Sequence, residues 1–501
     1  MKYQTPDQIY GDLFVDLHLQ PVLKDGKLIS DATALFPPAE IVAAYDVEKG
    51  SPGFDLPAFF KKHFKVNTLV ESNFKTDRSK SAEEHIRTLW DVLSRPADVA
   101  EEGSSIIPLP HPYLVPGGRF NEIYYWDSFF TMLGLKIHNR WDIIEGMIQN
   151  FSWFIDNIGF IPNGNRSYFL SRSQPPFFAM MVSLLAKEKG DAVLVKYLPQ
   201  LKKEYAFWMN GQVQLSDTNQ AFEHVVKLKG GVLNRYYDRS PLPRQEMHKD
   251  DAELIEESTR ESQKLCLDIR SACESGWDFT SRWFDNEQEL STINTSEIIP
   301  VDLNCLLYIL EQTIAKACRL SNDMEESKSF LAKADKRKEL IQKYCWNSET
   351  GFFHDYQFVQ SKRTAVISAA GVYPLCFNIA TKEQAAQVAE NITTHLLFEG
   401  GVACTPITSG QQWDSPNGWA PLQWMTVAGL EAYGFDKEAL TVAERWTSLN
   451  EKVYQNTGKF MEKYNVVDLS LDAGGGEYPV QDGFGWSNGV YLALKEFIKT
   501  S

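Results

Sequence analysis

The sequence predicts a mainly α-helical chain, and three observations carry that reading. Amphipathic helical periodicity comes first: in "VDLNCLLYILEQTIAKACRL", Leu303, Leu307, Leu310, Ile314 and Cys318 recur at gaps of three or four and so share one helix face. "SKSFLAKADKRKELIQKYCW", "AEEHIRTLWDVLSR" and "KEQAAQVAENITTHLL" repeat the pattern with their charges outward. Second, alternating strand patterns are scarce, and "GGVLNRYYD" reads as one short hairpin arm. Third, a faint internal repeat links "YCWNSETGFFHDY" (344–356) to "VYQNTGKFMEKY" (453–464), each running from a helix end into Gly-x-Phe-x-acid. Helix pairs that return every ~40–50 residues mark an open or closed helical array.

No glycine-serine linker or low-complexity tract divides the chain, so residues 61–501 read as a single domain. Residues 1–60, with "ALFPPAEI" and "KGSPGFDLP", read as an irregular arm wrapped over it. Trp-Asp occurs at Trp90-Asp91, Trp126-Asp127, Trp141-Asp142, Trp277-Asp278 and Trp413-Asp414. The irregular spacing and helical flanks exclude a propeller, whose blades need four strands per ~40–45 residues. Taken singly, each pair reads as a packed ring beside a helix cap.

Composition narrows the partners. The formal charge of −16 argues against a nucleic-acid surface, which relies on clustered lysine and arginine. Aromatic residues at 13% supply ring surface for a neutral ligand. The seven cysteines contain no C-x-x-C pair and the histidines no H-E-x-x-H, so reduced thiols and no metal site are expected. The amino terminus lacks the apolar core of a secretory signal, and no run approaches the ~18 apolar residues of a membrane span. A cytoplasmic, monomeric enzyme without membrane contact is expected, or a periplasmic one if an export segment has been removed.

Five loops bring acids, amides and guanidinium groups together with rings. Cleaving a glycosidic bond needs such sites: one protonated carboxyl, one ionised carboxyl, donors for hydroxyls and flat faces for the C–H side of a pyranose. The first loop, "VPGGRFNEIYYWDSFF", offers Arg119 and Asp127 between Phe120 and Trp126. "IPNGNRSYFLSRSQPP" offers Asn163, Arg172 and Gln174; "CESGWDFTSRWF" offers Gly276 and Asp278. "GQQWDSPNGWAPLQW" is the fourth. "GKFMEKYNVV" with "AGGGEYPVQDGFGW" is the last, its glycine run lacking the Lys-Ser/Thr of a nucleotide cradle and reading as a lid.

"PGGRFNEIYYWDSF" (116–129) and "QWDSPNGWAP" (412–421) resemble the two signature motifs of the trehalase family of inverting glycoside hydrolases. The likeness extends through "NGNRSYFLSRSQPP", "ESGWDFTSRW", "EKY" and "GGGEYPVQDGFGWSNG", from about residue 50 to the end. It implies an all-α (α/α)6 toroid with a loop-built pocket, and cofactor-free hydrolysis of α,α-trehalose to two glucoses with inversion. It also implies Asp278 as general acid, Glu462 as general base and Glu477 as a hydroxyl-holding residue of the lid. Arg119, Phe120, Trp126, Asp127, Asn163, Arg172, Ser173, Gln174, Arg244, Glu246 and Gly276 are expected around the disaccharide. Phe129 stands where the motif usually has tyrosine, Gln245 where it often has proline, and Ala473 opens the glycine run. The rivals are another helical-toroid glycosidase, acting on glucosyl- or mannosylglycerate or an α-glucan end, and a non-catalytic sugar-binding relative.

Overall fold

The computed structural model describes residues 3–20, 22–66, 76–471, 478–481 and 483–501. From residue 82 onward the long helices alternate between two layers. Six form the more buried set: Tyr125–Ile137, Phe178–Lys189, Val301–Leu320, Tyr373–Cys376, Ala420–Glu431 and Gly485–Thr500. Each packs on the next, and the last returns to the first, closing an inner ring. Ala82–Leu93, Trp141–Asn157, Leu198–Trp208, Met324–Cys345, Lys382–Asn391 and Asp436–Thr457 stand outside them. The result is an (α/α)6 barrel.

The two layers follow from the sequence. Outer helices are amphipathic: Ala82–Leu93 buries His85, Ile86, Leu89, Trp90 and Leu93 and exposes its charges, with Ser81 and Glu84 closing a reciprocal cap at its start. Inner helices bury more of their circumference; in Tyr125–Ile137 every residue from Tyr125 to Leu135 is buried. Each large apolar side chain so buried contributes about 1.5–3 kcal/mol. The ring closes at a glycine seam. A Cβ on Gly134 would lie 2.7 Å from the Gly489 Cα, and one on Gly489 would lie 2.2 Å from the Phe130 carbonyl oxygen, so these two helices meet backbone to backbone.

Strands are short and lie in the connections. Val225–Leu228 pairs antiparallel with Gly231–Asn234, the expected hairpin arm, in the register Val225↔Asn234. Asn417–Trp419 pairs antiparallel with Lys463–Asn465, setting Trp419 opposite Lys463.

The amino-terminal segment differs from the irregular arm expected. It holds the short helices Pro6–Tyr10, Asp12–Leu19, Gly26–Ser30, Pro38–Glu48 and Leu56–His63. They bury a small core of their own, including Leu13, Phe14, Ile41, Tyr45, Phe59 and Phe60. Pro38 and Pro57 sit in first turns, where the missing N–H costs nothing, so "FPPAEI" and "DLPAFF" start helices rather than break them.

Candidate active site

Passing from an outer helix to the next inner one, the chain crosses a single mouth of the barrel. Five of the six such connections, with the first turns of the inner helices they lead into, line one cavity. Asp278 and Glu462 both border it. So do Arg119, Phe120, Trp126, Asp127, Asn163, Arg172, Gln174, Arg244, Glu246 and Gly276.

Its floor is aromatic. Trp413 stacks on Trp419 with centroids 3.9 Å apart and planes 4° from parallel, and Trp277 stacks on Trp413 at 5.3 Å. Trp126 leans on Trp413, and Trp486 meets Trp126 edge-on. Gly276 ends the Ser262–Ser275 helix in the left-handed conformation at φ 74°. A Cβ there would come within 2.8 Å of the Trp126 indole, so this glycine meets two requirements at once and sets where Asp278 emerges.

Asp278 is half-buried at the cavity edge, and Glu462 is almost wholly buried. Tyr478 donates its hydroxyl hydrogen to Glu462 Oε1 at 3.1 Å, and Lys463 Nζ lies 3.4 Å from Oε2. The Glu462 carbonyl accepts from the Trp486 indole at 2.9 Å, so the main chain beside the carboxylate is pinned. Gln412 ties the two acids' loops together: its amide N–H reaches the Asp278 carbonyl, while its Oε1 accepts from Lys463 Nζ at 2.8 Å.

The guanidinium groups are pre-aimed. Arg172 donates to Glu246 at 2.6 Å and approaches Asp238 at 3.4 Å. Arg244 grips Asp251 through Nε and Nη2 and lies over the Phe279 ring. Arg119 donates to Asp25 at 2.7 Å and covers the Tyr478 ring at 4.7 Å. Arg119 Nε, Arg172 Nε and Glu246 Oε2 are buried polar atoms on cavity-lining residues without a hydrogen-bond partner among the described residues. Such atoms are costly unless a ligand satisfies them. Burial pushes the Glu246 carboxyl up, but Arg172, Arg244 and Arg270 outweigh it and hold the group below the usual carboxylate range.

Asp127 is the exception. It sits in the first turn of Tyr125–Ile137, and burial, then the charges of Glu462 and Asp278, push its carboxyl well above the ordinary 3.8. An acid with a raised folded value costs stability as pH climbs from its unfolded value towards its folded one, because unfolding then releases a proton that the native form retains. Asp127→Asn is therefore expected to match the wild type in thermal unfolding near pH 4 and to exceed it at pH 7.

Two expected site residues need separate mention. Ser173 is corrected: it does not border the cavity, because its hydroxyl turns to the Ile161 carbonyl at 2.6 Å and its N–H to Glu274 at 2.8 Å, behind the wall. Glu477 and the glycine run, with the Ala473 that opens it, lie outside the described residues. Phe129 stacks on Phe177 in an apolar nest, so that position presents no hydroxyl. Gln245 joins the arm instead, donating to Asp7 and accepting from Ser30. The sequence reading did not single out Lys27, Tyr124, Met247, Cys273, Trp413, Trp419, Tyr478, Phe484 and Trp486 for the wall. All of these but Lys27 and Met247 lie within the quoted loops and motifs, so sequence signals existed for the rest. All seven cysteines are free.

Comparison with known proteins shows the family. The family model Trehalase matches residues 30–499. The chain is 46% identical over 497 residues to the periplasmic trehalase of Salmonella newport (strain SL254), covering 99% of this chain and 87% of that protein. It matches the putative periplasmic trehalase of Salmonella typhi equally. Among solved structures, the neutral trehalase from Saccharomyces cerevisiae superposes with a TM-score of 0.65 at 28% identity, over 83% of this chain and 80% of that one. A mannosylglycerate hydrolase from Thermus thermophilus, TM-score 0.55 at 16% identity over 83% of this chain and all of that one, shares the fold alone. With a family model spanning most of its length and relatives identical at nearly half their positions, the chain belongs to the trehalase family.

Proposed function

We propose that this chain hydrolyses α,α-trehalose to two glucose molecules with inversion, Asp278 acting as general acid and Glu462 as general base. Family membership and the 46% identical trehalases support the substrate. The observation that carries the mechanism is that these two carboxyl groups, from connections far apart in sequence, border one tryptophan-floored cavity with unsatisfied donors in its wall. Asp278 gives its proton to the bridging oxygen, and Glu462 takes one from a water that attacks the anomeric carbon from the opposite face. Tyr478 and Lys463 orient the Glu462 carboxyl. Arg119, Arg172 and Arg244 hold hydroxyls, and the indoles cover the apolar sugar faces. Asn163 and Gln174 add amides to the same grip, and Glu477 follows from the resemblance alone.

The relatives also correct the expected location. They are periplasmic trehalases, which overturns the cytoplasmic reading and favours its periplasmic alternative. Among the described residues no helix is long and apolar enough to cross a membrane.

The test is NMR of fresh products from α,α-trehalose. Inversion at one anomeric carbon releases equal α- and β-glucose at the earliest times. Only α-glucose would overturn the inverting assignment, and no release would overturn the substrate.

A further inference from the structure

We propose that Lys27 binds substrate: the amino-terminal segment carries its ammonium group into the sugar pocket, and Asp25 beside it positions Arg119. Lys27 borders the same cavity as Asp278 and Glu462, yet comes from the Gly26–Ser30 helix, outside the barrel and its signature motifs. It is 2% exposed, and its Nζ lies 2.5 Å from Asp31 and 2.6 Å from Glu122. An ammonium has three N–H donors. Two are taken by these carboxylates among the described residues, and the third is left for the cavity that the side chain borders.

The anchoring is firm enough to aim it. Arg166 bridges Asp31 and Glu122 on the far side, and Tyr168 donates to Asp31 at 2.6 Å, so two cations and two anions balance in a buried cluster. Asp25 Oδ1 accepts both the Lys27 main-chain N–H at 2.9 Å and Arg119 Nη2 at 2.7 Å. One carboxylate thus fixes the start of the short helix and the direction of a pocket guanidinium. A charged donor facing a neutral sugar hydroxyl suits a disaccharide pocket, since hydrogen bonds to charged groups are the stronger ones.

This inference rests on the trehalose reading, and the two fail separately. A wild-type chain that releases no glucose from trehalose removes the reading; wild-type turnover matched by the variant removes only the inference. In the full chain, Lys27→Met is expected to raise KM for trehalose about 10- to 100-fold, the range for losing a charged hydrogen bond, with a smaller change in kcat. Asp25→Asn, at a half-exposed site, is expected to raise KM a few-fold. Monodeoxytrehaloses then separate contact from scaffolding. For the sugar that lacks the hydroxyl Lys27 reaches, wild type and K27M should show equal kcat/KM, while the other deoxy sugars keep the gap. If K27M does not fold, the charge-balanced K27M/E122Q is compared with E122Q in the same series. Unchanged KM in a folded variant, or one uniform ratio across every deoxy sugar, overturns the proposal.

Discussion

Asp278→Asn and Glu462→Gln should each lower kcat on trehalose by about 10²–10⁴-fold, the usual reach of general acid–base catalysis. Both exchanges keep shape and remove only the proton chemistry, so packing around Trp277 and the Tyr478 contact to Oε1 should survive. The two variants are expected to part company on α-glucosyl fluoride. Fluoride leaves with little help from an acid, so D278N should recover much of its rate there. E462Q should not, because the attacking water still needs a base. Rates on both substrates, with thermal unfolding as a control for folding, decide the roles. Either variant turning over trehalose at the wild-type rate would remove that residue from catalysis.

A second large effect is expected on stability, away from the reacting bond. Arg282 is 1% exposed and forms paired hydrogen bonds to Asp302 at 2.9 and 2.8 Å and to Asp355 at 2.6 and 2.8 Å. Its guanidinium also lies over the Trp277 and Trp283 rings, at 4.7 and 4.3 Å. Arg282→Met strands two buried carboxylates, and breaking such a cluster costs about 3–5 kcal/mol. The expected result is a clear fall in unfolding temperature or in half-life on heating. Restoring neutrality with Asp302→Asn and Asp355→Asn in the same chain should return part of the loss. A melting curve identical to wild type for R282M would show that the cluster is not a structural lock.

Helical periodicity revealed a mainly α chain of helix pairs but not its two layers, which only the resemblance supplied: Val301–Leu320 shows as clear an apolar stripe as the outer helices and yet lies in the inner ring. Among the Trp-Asp pairs, the bland reading holds for Asp414, whose carboxylate is buried among Thr280, Ser281 and Thr405. Asp91 and Asp142 both face Arg140 on the outside. Only Trp126-Asp127 and Trp277-Asp278 bring an acid to the cavity. The Gly-x-Phe-x-acid repeat also maps onto equivalent connections: Glu462 lies on one, while Asp355 lies on the connection that leaves the cavity untouched. Lys27, Gln412 and Lys463 were illegible as partners because their meaning is long-range. No local pattern says that an amide at 412 bridges a carbonyl at 278 and an ammonium at 463. The arm misled for a different reason: proline and glycine were read as breakers where proline occupies first turns.

The seam at Gly134 and Gly489 has a temporal consequence. During synthesis the first inner helix emerges long before its neighbour across that seam, and every earlier intermediate is an unclosed arc with a missing flank. Trp486 and Glu462 arrive late, so on the proposed mechanism a partly made chain lacks the base that activates water. Turnover is therefore a stringent reporter of completed ring assembly, and slow annealing of the two ends would appear as a lag in activity after refolding.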